Sequence, residues 1–152
     1  MPDIPKDELN DFKNSLKNDI EIDPIKSLII ISKNLLEKGG TRSAIINISA
    51  ALEYTVERKI KSKFLLKGKA EKSIEKLLNS TKMNFKERCD RTLKKATGKS
   101  LVSEYSTEWK KIDDLRKRFR HSIAHSVLEP TYKDTENLIS EFENVISIVE
   151  SF

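Results

Sequence analysis

Apolar residues recur at intervals of three and four along most of the chain, which predicts amphipathic helices and leaves no segment alternating convincingly as a strand would. The first strong repeat is DPIKSLIIISKNLLEK. Asp23 can cap it, Pro24 suits its first turn, and Gly39 and Gly40 should end it. Its predicted apolar stripe comprises Ile25, Leu28, Ile29, Ser32, Leu35 and Leu36.

A second repeat follows directly, with Thr41 as its candidate cap. One apolar stripe continues as far as about Phe64 and comprises Ile45, Ile48, Leu52, Val56 and Ile60. Because only a short glycine turn joins the two repeats, they predict an antiparallel helical hairpin.

Two more amphipathic segments occupy the C-terminal part of the chain. SEYSTEWKKIDDLRKRFRHSIAH should end a few residues before Pro130, which disfavours helical geometry at Glu129. Its predicted apolar face comprises Tyr105, Trp109, Ile112, Leu115, Phe119 and Ile123. The last helix can be capped by Thr131 or Asp134, and its stripe comprises Leu138, Ile139, Phe142, Val145, Ile146 and Val149.

The segment 67–99 is less regular. Ile74, Leu77 and Leu78 indicate one short helix, and a second ends near Gly98 with Phe85, Cys89, Leu93 and Ala96 about four residues apart. Its few apolar residues and many lysines predict a basic, peripheral insert. Residues 1–22 are predicted to form an acidic arm or weak helix. The sequence therefore predicts an all-α, up-and-down bundle of five to six helices forming one domain over residues 23–152.

Composition agrees with a single helical domain. The chain has 152 residues, of which 37% are hydrophobic and 35% charged, with four glycines and four prolines. Cys89 is the only cysteine and cannot form an internal disulfide. The start, MPDIPKDELNDF, lacks the basic and apolar regions of a signal peptide, and no apolar run approaches membrane-spanning length. We expect a cytoplasmic protein without a membrane partner.

Charge is segregated along the chain. Residues 58–120 contain 21 Lys and Arg against 8 Asp and Glu, whereas residues 1–57 contain 7 against 10 and residues 121–152 contain 1 against 6. Clustered cations favour a polyanionic partner such as RNA, because each neutralised phosphate releases counterions. The alternative is a solvated, lysine-rich helical surface without a partner.

Both histidines of the chain lie in one stretch, RKRFRHSIAH. At about 100° per residue, His121 falls opposite the apolar face, His125 about 40° from it, and Arg120 on the flank. A metal site would need a third ligand beside His121 and His125, and Pro130 interrupts the turn that would align Glu129. We therefore expect no metal and no other cofactor.

The remaining interpretations of the pair are surface residues without a role, or acid and base chemistry on an RNA phosphodiester. Histidine titrates near neutral pH and can take a proton from a 2′-OH or give one to a leaving oxygen. Arginine can hold the phosphate oxygens with two parallel hydrogen bonds.

The motif RHSIAH, Arg120 to His125, resembles the R-x4-H signature of HEPN domains (higher eukaryotes and prokaryotes nucleotide-binding). Its setting, IDDLRKRFRHSIAHS, and the helical segment RSAIINISAALEYTVERKI are also similar to the family, over about residues 23–152. The resemblance implies a HEPN-type bundle that usually dimerises and places two motifs around a shared cleft. Many members are metal-independent endoribonucleases of toxin–antitoxin, defence or RNA-processing systems.

Carried over by position, the resemblance implies that Arg120 and His125 form the catalytic pair, with His121 as an assisting polar residue. The charge pattern adds Arg116, Lys117 and Arg118 as candidate phosphate contacts. Glu53 could orient Arg120, or could form an ordinary salt bridge at the surface or between subunits. The function expected is RNA cleavage by a homodimer with a composite active site, under an antitoxin or other regulatory protein. The alternative is a noncatalytic helical module that binds RNA or a protein.

Overall fold

The computed structural model describes residues 22–125 and 129–152, and describes side chains over residues 22–119 and 129–152. These residues form α1 (Pro24–Glu37), α2 (Thr41–Leu66), α3 (Glu71–Leu78), α4 (Phe85–Glu87), a π-helical turn (Arg88–Thr92), α5 (Leu93–Thr97), α6 (Leu101–Glu104), α7 (Ser106–His125) and α8 (Tyr132–Glu150). No strand occurs among the described residues, which confirms the all-α prediction. Apart from Ile22, the predicted N-terminal arm lies outside the described residues.

The predicted hairpin of α1 and α2 is present, with one correction at its turn. Asp23 caps α1 by accepting a hydrogen bond from the backbone N–H of Ile25 at 3.0 Å. Gly39 has φ 81°, a left-handed conformation that favours glycine. The prediction of Thr41 as a cap was wrong: Gly40 takes the cap position, and the Thr41 hydroxyl donates to Glu129 Oε2 at 3.3 Å.

Helix α2 is the centre of the core. Its predicted stripe is buried throughout, and α1, α5, α7 and α8 pack around it. Ser32, the one polar member of the α1 stripe, is also buried and donates to the carbonyl of Ala44 at 2.7 Å. That bond satisfies the hydroxyl, so a polar residue costs little at this helix contact.

The segment 67–99 belongs to this core, which corrects the prediction of a peripheral insert. Five of its apolar residues are buried in the same cluster as α2: Ile74, Leu78, Cys89, Leu93 and Ala96. Helix α4, the π turn and α5 form one continuous helical run over residues 85–97, hereafter the 85–97 helix, which packs on α2. Its apolar residues are few because only one face is buried, while its lysines remain exposed.

Helix α7 is shorter at its start than the sequence predicted. The chain breaks helical geometry at Tyr105, where φ is −121° and ψ is 49°, so α6 and α7 are separate. The described part of α7 reaches His125, and Glu129 is not helical, as Pro130 predicted. Of the two candidate caps of α8, Thr131 is the one used, since its side chain accepts from the N–H of Asp134 at 3.1 Å.

Candidate functional site

A cleft of about 700 Å³ opens among α2, α4, α7 and α8. Its apolar walls come from Ile45, Ile46, Ala50, Phe85, Phe119, Leu138 and Phe142. Polar side chains also line it, namely Ser49, Glu53, Asn84, Lys86, Asp113, Arg116 and Lys117. An apolar cleft with a few converging polar groups is the usual form of a ligand site, and this one reaches Phe119, the residue before Arg120.

Arg116 is held in place at this cleft by two other elements. Its Nη2 atom lies 2.6 Å from Oε1 of Glu53 on α2, and its guanidinium lies 3.7 Å from the ring centroid of Phe85. Phe85 in turn stacks on Trp109, with 6.0 Å between centroids. Only 21% of the Arg116 side chain is exposed, so this residue ties α7 to both α2 and α4.

Lys117 and Arg118 lie at the surface beside it. Lys117 Nζ is 2.5 Å from Asp113 Oδ2, and this hydrogen bond and the negative charge of Asp113 raise the pKa of the lysine. Arg118 Nη2 is 3.7 Å from Asp134 Oδ2 at the start of α8. Together with Arg116 they form a group of three cations in the turn before the RHSIAH motif. Their predicted contacts with phosphate remain predictions.

The three predicted catalytic residues, Arg120, His121 and His125, lie on α7, which is helical as far as His125. Their side chains lie outside the described part of the structure, so the catalytic assignment remains a prediction. The described features nearest in sequence are Phe119, which is buried, and Glu129.

Glu129 fixes the chain after α7 to the start of α2. Its Oε1 atom lies 3.0 Å from Arg42 Nε, its Oε2 atom accepts from Thr41, and the next residue, Pro130, is buried. The residue before Pro130 is thus anchored at the N-terminal end of α2. Over residues 22–119 and 129–152, no three potential metal-ligating side chains of His, Cys, Asp or Glu cluster together.

Glu53 was predicted either to orient Arg120 or to form an ordinary salt bridge. In the structure its carboxylate forms a salt bridge with Arg116 of the same chain. The residues that α4 brings next to this pair were not predicted from the sequence. Phe85 was assigned only to an apolar stripe and Lys86 to none, because no sequence signal indicated that α4 would meet α7.

Cys89 lies beneath this region and is fully buried. Burial raises the pKa of its thiol, and the nearby positive charge of Arg116 opposes that shift only in part. A raised thiol pKa disfavours the thiolate, which is the nucleophilic form of cysteine.

The described helices contain no segment long and apolar enough to cross a membrane. Comparison of the chain with protein-family models, with curated proteins and with solved structures finds no match. The class that the fold itself defines is an all-α helical bundle with a cleft beside α7.

Proposed function

We propose that the chain is a metal-independent endoribonuclease of the HEPN type. The supporting observation is the position of the cleft, whose α7 wall runs through Arg116, Lys117 and Phe119 and ends where the motif Arg120 to His125 begins. The all-α fold and the predicted helical hairpin agree with the architecture that the resemblance implies. A substrate in this cleft would meet cations first and the motif next.

In the proposed reaction, one imidazole takes the proton of an RNA 2′-OH, which attacks the adjacent phosphorus. The bond to the leaving 5′-oxygen breaks, and that oxygen receives a proton from a second group. Arg120 stabilises the negative charge on the phosphorane oxygens. The products are a 2′,3′-cyclic phosphate and a 5′-hydroxyl, with His125 as the principal acid–base group and His121 as its assistant.

A homodimer suits this chemistry because one motif supplies at most two imidazoles and a shared cleft supplies four. An endoribonuclease also needs restraint in its host, so the proposal includes a regulatory protein such as an antitoxin. Cytoplasmic location belongs to the same proposal, because it gives access to cellular RNA.

The test incubates the purified protein with total RNA in EDTA and reads fragments on a denaturing gel. His125→Ala and Arg120→Ala should each lower the cleavage rate by about 100-fold or more, as loss of an acid–base or charge-stabilising group does. Lys110→Ala is the matched control, because Lys110 is an exposed cation on the same helix. Circular dichroism checks that every variant keeps its helix content.

Cleavage by the parent and by Lys110→Ala, but by neither motif variant, would support the proposal. Equal cleavage by parent and His125→Ala would overturn the assignment of the active site. Intact RNA in every lane, together with salt-sensitive RNA binding, would favour the noncatalytic binding module.

A further inference from the structure

Ion pairs involve seven of the 20 cations that lie between residues 58 and 119. Acidic residues of α8 pair with cations of α1, α2 and α7: Glu143 with Lys33, Glu150 with Arg58 and Glu141 with Lys111. Within the segment 67–99, Glu71 and Glu75 pair with Lys61 of α2. The basic middle of the sequence is therefore only partly neutralised in the folded protein.

The 85–97 helix is one of the segments whose exposed cations stay unpaired among the described residues. Four of its cations, Lys86, Arg91, Lys94 and Lys95, are exposed and form no ion pair with any described residue. We call these four the cationic ridge. Two carboxylates lie on the same helix: Asp90 accepts a hydrogen bond from Ser100 Oγ at 2.6 Å, and Glu87 is half-buried. Neither carboxylate forms an ion pair with a cation of the ridge.

The ridge begins at the cleft and leads away from it along α2. Phe85 and Lys86 line the cleft, and Arg88 pairs with Glu57, one turn of α2 beyond Glu53. At the other end, Lys67 Nζ donates to the carbonyl of Lys95 at 2.7 Å. The helix therefore runs alongside α2 from the site toward the C-terminal end of α2, held down by Cys89, Leu93 and Ala96.

The π turn at Arg88–Thr92 lies within this helix and adds a residue to one turn. Helical geometry spaces Lys86 and Lys95 by about 14 Å, at about 1.5 Å per residue. Lysine binds a phosphate as a point charge rather than reading a base edge.

We propose that the cationic ridge binds the phosphate backbone of single-stranded RNA and leads the strand into the cleft. The choice of RNA rests on the proposed function, whereas the position of the site rests on the ridge itself. Binding there is independent of base sequence, because phosphate contacts carry no sequence information. The ridge therefore contributes affinity, and any base preference has to come from the cleft.

The experiment measures the anisotropy of a fluorescent, unstructured 12-nucleotide RNA at several salt concentrations. All its 2′-hydroxyls are methylated, so the nucleophile is blocked and binding is measured whether or not the protein cleaves RNA. Lys94→Gln/Lys95→Gln tests the ridge. Lys26→Gln/Lys38→Gln is the matched control, since both are exposed lysines of the α1 region without an ion pair among the described residues.

The ridge variant should bind about tenfold or more weakly than the parent near 50 mM salt, and the slope of log K against log salt should fall by about 1.4, or about 0.7 for each lost phosphate contact. The control should change affinity less than twofold. The proposal that the ridge binds RNA would be overturned by equal effects in both variants, by no effect in either, or by no binding of the RNA by the parent.

These outcomes are separate from those of the cleavage test. Ridge-dependent binding without cleavage of unmodified RNA would sustain the ridge and refute the ribonuclease. Motif-dependent cleavage with unchanged binding by Lys94→Gln/Lys95→Gln would sustain the ribonuclease and refute the ridge.

Discussion

The α8 side of the bundle and the 85–97 helix differ in whether their cations form ion pairs with carboxylates. On the α8 side, Lys33, Arg58 and Lys111 have carboxylate partners, and the Arg58 guanidinium reaches both Asp23 and Glu150. On the 85–97 helix, the exposed cations have none among the described residues, although the opposite face of that helix is packed as tightly as α2. The candidate binding surface is distinguished by its position, because its unpaired cations lie on a packed helix that begins at the cleft.

The largest expected effect tests whether the 85–97 helix is packed into the core. Leu93→Ala should lower the free energy of unfolding by about 2–5 kcal/mol, because it leaves a cavity where the side chain is fully buried. Urea denaturation measures the change. Lys94→Ala, at the next and exposed position, should change stability by less than about 0.5 kcal/mol. Equal free energies of unfolding for the two variants would mean that the helix is peripheral, and would contradict its description as part of the core.

The second test concerns Arg116, a paired cation at the cleft. Arg116→Ala should lower the free energy of unfolding by about 1–2 kcal/mol, since it removes the contact with the Phe85 ring and the ion pair with Glu53. Lys117→Ala is the control, because 72% of the Lys117 side chain is exposed.

A double-mutant cycle of Arg116→Ala with Glu53→Gln separates the ion pair from the ring contact. Both residues are partly exposed, so the coupling should be below about 1 kcal/mol. If Arg116→Ala instead left stability unchanged and weakened RNA binding, Arg116 would be a phosphate contact without a structural role.

The smallest effect concerns the cap of α1. Asp23→Ala should cost about 1 kcal/mol near neutral pH, because the N–H of Ile25 loses its acceptor. Burial raises the pKa of the Asp23 carboxyl, but the hydrogen bond from Ile25 and the Arg58 guanidinium outweigh it, so the folded-state pKa is lowered.

A depressed folded-state pKa gives stability that is present above the unfolded pKa of about 3.9 and is lost as pH falls through the folded value. The difference between parent and Asp23→Ala in urea denaturation should therefore shrink below about pH 4. Asp23→Asn, which keeps a capping oxygen, should cost less than Asp23→Ala at neutral pH. A difference that is constant down to pH 2 would exclude ionised Asp23 as the source.

Much of the fold was predictable from periodicity. The stripes of α2 and α8 and the cap at Asp23 are local properties, set by spacing of three and four and by the residue before a proline. The break at Tyr105 and the use of Gly40 as a cap were missed. The cap depends on a distant partner, since Thr41 instead donates to Glu129, 88 residues further along the chain.

The candidate site divides in the same way. The motif Arg120 to His125 could be identified from residue type and spacing, and Glu53 was named as a candidate partner. The contacts of Glu53 and Phe85 with Arg116 could not be identified from the sequence, because they join residues 63 and 31 positions apart.

The sequence alone determined that this protein is helical, which residues of each helix face inward, and where its histidines and its cationic segment lie, because these follow from local periodicity and composition. Only the tertiary structure decided which cations are neutralised. Charge pairing depends on which helices pack together, and packing brought the acidic α8 to the cations of α1, α2 and α7 while no acidic helix covers the outer face of the 85–97 helix among the described residues.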